Sequence, residues 1–109
     1  MRRTSLQEFK AEMFRALAHP TRIRLLELLR TGEKSVTELQ QLLDIETASV
    51  SQQLGVLRGH DLVAADRRGT SVFYRLRGTE VTKILDIARA IFDRRLAELQ
   101  ALGDEDQAE

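Results

Sequence analysis

The hydrophobic period of this chain changes near residue 60, and that change constrains the fold more than any other feature. Upstream, apolar residues recur every three or four positions, while residues 61–76, "DLVAADRRGTSVFYRL", alternate in steps of two. The first spacing belongs to helices that bury one stripe, the second to strands that bury one face. From residue 79 the helical spacing resumes and continues to residue 102. Such a chain must fold several helices, then a hairpin, then one long helix.

The helical part divides at its own punctuation. Leu6, Phe9, Met13 and Leu17 mark a first helix over Ser5 to Ala18. The only proline, Pro20, suits the first turn of a second helix, "PTRIRLLELLR". Its Ile23, Leu25, Leu26, Leu28 and Leu29 are too many for a narrow stripe and predict deep burial, and Gly32 ends it. In "SVTELQQLL", Ser35 and Glu38 have capping-box spacing, with Val36, Leu39, Leu42 and Leu43 as the apolar set. The short turn "DIET" leads into a helix from Thr47 to about Gly59. At 100° per residue, its Val50, Leu54 and Leu57 lie within about 60° of one another. The hairpin turns at Arg68-Gly69, where glycine supplies the positive φ such a tip needs. The final helix keeps its seam with Val81, Ile84, Leu85, Ala88, Ile91, Phe92, Leu99 and Leu102. The expected architecture is mainly α with a small β-hairpin wing: a winged helix-turn-helix of five helices in a single domain, residues 1–109.

Composition narrows the function. The chain has no cysteine, which removes disulfides and thiolate metal sites, and no apolar run approaches the roughly 20 residues that span a bilayer. The N-terminus has no continuous apolar stretch of the secretory kind, so a cytoplasmic protein with no membrane partner is expected. The formal net charge is zero, but residues 98–109 carry five acids and no base, leaving 17 bases against 12 acids elsewhere. That end reads as a frayed, solvating tail. Residues 47–78 hold five arginines against two aspartates.

The side of the 47–59 helix opposite its apolar stripe carries Thr47, Ala48, Ser49, Ser51, Gln52 and Gly55, with no charge before Arg58. A merely solvated face would be richer in lysine and glutamate. Hydroxyls and amides can bond base edges, Gln pairing with adenine in bidentate fashion, and small residues let a helix sink into the major groove. Gln53 and Arg58 extend this surface, as do Ser35 and Thr37 at the start of the preceding helix. Arg67, Arg68, Thr70 and Ser71 gather around the hairpin glycine, a basic tip suited to phosphates or the adjacent minor groove. Together these residues predict a partner of double-stranded DNA.

Three blocks, "FRALAHPTRIRLLELL", "SVTELQQLLDIETASVSQQLGVLRGHDLV" and "RRGTSVFYRL", closely resemble the ArsR/SmtB family of bacterial winged-helix transcriptional repressors. The resemblance runs from about Phe9 to Leu102 with the blocks in the family's order. It implies a homodimer that binds an operator through the helix starting near Thr47, and an effector that releases the DNA. The chain departs from the family where metal sensing is concerned. Members that sense metals through the third helix resemble "CVC" ahead of "DL"; Ser35, Val36 and Thr37 stand there, ahead of Glu38 and Leu39. Members with a site on the last helix use Asp, His, a second His and Glu. If Asp86 is the first of these, Ala88 and Leu99 take the histidine positions. Glu46 stands where many members place serine, and its charge suits a helix N-terminus but opposes a phosphate.

No metal site and no cofactor are therefore expected. His19, in the "LAHPTR" block, reads as structural, and His60 as a surface turn residue. No catalytic constellation is present, so an enzyme is not expected. The first and last helices carry more apolar stripe than a small core covers, and Leu6, Phe9, Met13, Ile84, Ile91, Phe92 and Leu99 are the expected dimer interface. The competing readings are a winged-helix protein-interaction module and a repressor sensing metal through an atypical site. For the effector, a small organic ligand, an unusual metal site, a protein partner and none at all stay open.

Overall fold

The computed structural model describes residues 5–108, with side chains to residue 104, and the chain falls into two compact units that meet in sequence between Gly78 and Thr79. The first unit begins with α1 (Leu6–Leu17), capped by Ser5, whose hydroxyl accepts from the Glu8 amide at 3.1 Å. Helix α2 (Pro20–Leu29) has Pro20 in its first turn, where no amide hydrogen is needed. His19 caps it: Nδ1 accepts from the Thr21 amide at 3.1 Å, which requires that nitrogen to be unprotonated. The structural role read for His19 thus has a definite form.

After Gly32, which adopts φ +131°, come β1 (Lys34–Ser35) and α3 (Val36–Leu43). Both halves of the capping box are present, Ser35 Oγ accepting from the Glu38 amide at 3.1 Å and the Ser35 amide donating to Glu38 Oε1 at 3.0 Å. Asp44 takes the left-handed conformation at φ 54° and stops α3; Gln40 Nε2 then donates to the Ile45 carbonyl at 2.9 Å, tying the turn to the helix it leaves. Helix α4 (Thr47–Gly59) follows with Glu46 at its N-cap and no side-chain cap bond.

The hairpin consists of β2 (Val63–Arg68) and β3 (Ser71–Leu76), paired from Val63 opposite Leu76 to Arg68 opposite Ser71. The connecting residues are Gly69 and Thr70, one position later than the sequence suggested, with φ +62° at Gly69. Strand β1 pairs with β3, Lys34 opposite Tyr74 and Ser35 opposite Phe73, giving the order β1-β3-β2. The alternation pattern did not reveal β1, because two residues are too few to show a period.

Leu25, Leu26 and Leu29 of α2, Leu39 and Leu43 of α3, Val50, Leu54 and Leu57 of α4, and Val63 of β2 are buried. Each such side chain stabilises the fold by about 1.5–3 kcal/mol relative to exposure. Leu42 departs from its expected place in the apolar set of α3 and is 53% exposed. On α1, Leu17 is buried and Met13 half-buried, but Leu6 and Phe9 are each 60% exposed.

The second unit is α5 (Glu80–Ala108). Ile84 is partly covered, whereas Ile87, Ile91, Phe92, Leu96, Leu99 and Leu102 are exposed. The acidic end expected to fray begins within this helix at Glu98; the side chains of Glu105, Asp106 and Glu109 lie outside the described residues. Among the described residues no helix is long and apolar enough to cross a membrane.

Candidate nucleic-acid interface

The buried stripe of α4 fixes which of its residues face outward. With Val50, Leu54 and Leu57 turned into the core, Thr47, Ala48, Ser51, Gln52 and Gly55 are exposed and Ser49 is half-exposed. A Cβ built at Gly55 would meet nothing within 4 Å, so this helix presents its bare backbone to open space at that point. From Thr47 to Arg58 the face runs about 16 Å along the axis. It offers hydrogen-bonding groups and no charge until Arg58.

Gln53 has a different environment from Gln52. It is half-buried, and its Oε1 accepts from Arg22 Nη1 at 2.8 Å. The projection explains this: Gln53 lies about 40° from Leu57 and so borders the buried stripe, while Gln52 lies a further 100° round. Sequence reasoning placed both amides on one surface; the structure engages the second one internally.

On the wing, strand alternation separates two adjacent arginines. Arg67, opposite Val72, shares a face with Ala65 and Tyr74, and these residues line an open depression together with Arg58 of α4. Two cationic side chains therefore border one surface where the helix meets the wing. Arg68, opposite Ser71, belongs to the other face. Its guanidinium pairs with Glu33 at 2.7 Å and with Asp66 at 3.1 Å, and lies 4.7 Å from the centre of the Phe73 ring. The hydrogen bonds it donates to Glu33, and then to Asp66, raise its pKa above an already high value, so Arg68 stays charged. The sequence grouped Arg68 with Arg67 as a backbone contact, but the structure gives it two carboxylate partners.

Thr70 and Ser71 are exposed at the tip, and Thr37 is exposed in the first turn of α3. Ser35, expected beside Thr37, is half-buried and its oxygen is engaged in the cap. Elsewhere in this unit, Phe9, Met13, His60, Asp61 and Leu62 line a second depression of about 380 Å³. Among the described residues no group of three His, Cys, Asp or Glu is placed to hold a metal.

A family model described as a helix-turn-helix domain matches residues 17–64. The HTH-type transcriptional regulator Rv0081 of Mycobacterium tuberculosis is 42% identical over 98 residues, covering 89% of this chain and 86% of that one. Its crystal structure superposes with a TM-score of 0.78 at 41% identity, over 88% of this chain and 97% of the other. The solution structure of Mb0332 from Mycobacterium bovis is described as a homodimeric winged helix-turn-helix DNA-binding domain and a possible ArsR-family regulator. It matches with a TM-score of 0.75 at 29% identity, over 88% of this chain and 94% of that one. The transcriptional repressor BigR of Xylella fastidiosa gives a TM-score of 0.70 at 38% identity, over 75% of this chain and 84% of that one. With the helix-turn-helix, the three-stranded wing and relatives of this identity and coverage, the chain belongs to the ArsR/SmtB family of winged-helix transcriptional regulators.

Proposed function

We propose that the protein is a homodimeric repressor that binds an inverted-repeat operator in duplex DNA. The observation that carries this reading is the outward face of α4, small, uncharged and rich in hydroxyl and amide groups, with Arg58 and Arg67 at its end. Such a helix enters a major groove with little steric resistance and meets base edges with groups that can discriminate among them. In this account Gln52 reads bases, while Thr47, Ser49 and Ser51 bond bases or nearby phosphates. Arg58 and Arg67, with Thr70, Ser71 and Thr37, hold the flanking backbone. Glu46 disfavours a phosphate at the very start of α4 and so shifts backbone contacts towards the wing.

The exposed stripes of α1 and α5 give the dimer its reason. Leu6, Phe9, Ile91, Phe92 and Leu99 are each about half exposed or more, apolar surface that a second copy would cover. Burial against a second copy would place two α4 helices in successive major grooves about 34–36 Å apart. The homodimeric description of Mb0332 and the repressor description of BigR support the dimer and the repressor role; in this reading the winged unit and α5 act as one DNA-binding domain, in the cytoplasm.

Two substitutions separate the assigned roles. Gln52→Ala should relax base preference at one or two positions, each good bidentate pair being worth about 1–3 kcal/mol. Arg67→Ala should weaken all duplexes alike and lower the slope of log affinity against log salt by about one. An unchanged preferred sequence for Gln52→Ala, measured by quantitative binding to a duplex library, would remove Gln52 from that role.

A further inference from the structure

Arg22 lies in the first turn of α2, half-buried, and every nitrogen of its guanidinium is in use. Nε donates to the Ala16 carbonyl at 2.6 Å, Nη2 to the Arg15 carbonyl at 3.1 Å, and Nη1 to Gln53 Oε1 at 2.8 Å. The two carbonyls belong to the last turn of α1, where the helix dipole favours a cation, and that of Arg15 also accepts from the Ala18 amide at 3.1 Å. Gln53 belongs to α4. One planar fork therefore ties the end of α1, through α2, to the helix whose outer face carries Gln52.

We propose that Arg22 and Gln53 form a brace that fixes the rotation of α4 about its own axis, so that Gln53 positions the reading face and does not itself read bases. This inference rests on the DNA-binding function proposed above. Val50, Leu54 and Leu57 hold α4 to the core by non-directional contact, which opposes separation more than it opposes a small roll. Base recognition is less tolerant, since a binding constellation must be held within about 10–20° of its working geometry. A guanidinium supplies that restraint because its donors are rigid, directional and permanently charged. Arg22 also carries the end of α1, whose exposed Leu6 and Phe9 belong to the apolar stripe, so a displacement of α1 pulls on α4 through the same side chain.

The test uses the full chain, Gln53→Met, Arg22→Lys and their double variant, each titrated with a duplex enriched by the wild type and with a random-sequence duplex of equal length. Neither substitution alters net charge. Each single variant should lower the ratio of the two affinities about tenfold, the double variant should lower it no further, and the bases preferred should stay the same. Gln53→Glu, which keeps an acceptor for Arg22, should remain within about threefold of wild type. Additive losses, or a changed base preference in Gln53→Met, would overturn the brace. A parallel cycle of urea unfolding without DNA reads the contact directly, and coupling of about tenfold in the folding constant is expected. No coupling there also overturns it. A wild type that distinguishes no duplex from random would instead sink the DNA-binding reading, while the unfolding cycle still decides whether the brace exists.

Discussion

Gly55 offers a perturbation in which stability and binding should move in opposite directions. It lies inside α4, not at an end or a turn, and a Cβ there meets nothing within 4 Å. Glycine in a helix interior costs about 0.5–1 kcal/mol relative to alanine, chiefly because the unfolded chain has more freedom to lose. G55A should therefore stabilise the protein by about that amount and raise Tm by a few degrees. G55Q should be similarly favourable in the free protein, since Gln is a good helix former and its side chain would project into solvent. On DNA the same side chain would stand between the α4 backbone and the groove floor. Loss of one or two base contacts at about 1–3 kcal/mol each corresponds to a drop of roughly five- to 10⁴-fold in specific affinity. Binding to random duplex, which depends on charge, should change little. Calorimetric unfolding and fluorescence anisotropy on the same preparations read both effects. A stabilised G55Q that still bound its preferred duplex as tightly as wild type would refute the idea that this face enters a groove. A destabilised G55A would refute the claim that the position is open.

Other substitutions test neighbouring parts of the account. Ser35→Ala removes the reciprocal cap of α3 and should cost about 1 kcal/mol, read as a lower urea midpoint with an unchanged m-value. Arg68→Ala should lower the salt slope by much less than Arg67→Ala, because Arg68 is held by Glu33 and Asp66, and should instead speed amide exchange along the wing. Phe92→Glu places a charge in the open stripe of α5 and should shift sedimentation towards the monomer while helical content is kept.

Much of this fold follows from periods and punctuation. Pro20, Ser35 with Glu38, and Gly69 bound their elements because each solves a local backbone problem visible in the residue type itself. Asp44 and Asp61 solve the same kind of problem with positive φ but give no such signal, since aspartate is equally common elsewhere. Strand β1 has no signature in the sequence because its pairing with β3 is a tertiary fact carried by two residues. The outward face of α4 is legible from its buried stripe, and the same projection puts Gln53 at the edge of that stripe. What spacing did not carry was its partner, Arg22, which is 31 positions away in sequence. The separation of Arg67 from Arg68 follows from strand pleating once the hairpin register is known, but the pairing of Arg68 with Glu33 required the fold.

Selection of bound sequences from a random duplex pool, at near-physiological salt with purified full-length protein, tests the central claim most directly. The account predicts an enriched inverted repeat with half-sites one helical turn apart, as two α4 helices related by a two-fold axis require. An unenriched pool, with binding that fades at modest salt, would contradict it and leave the basic wing a non-specific surface.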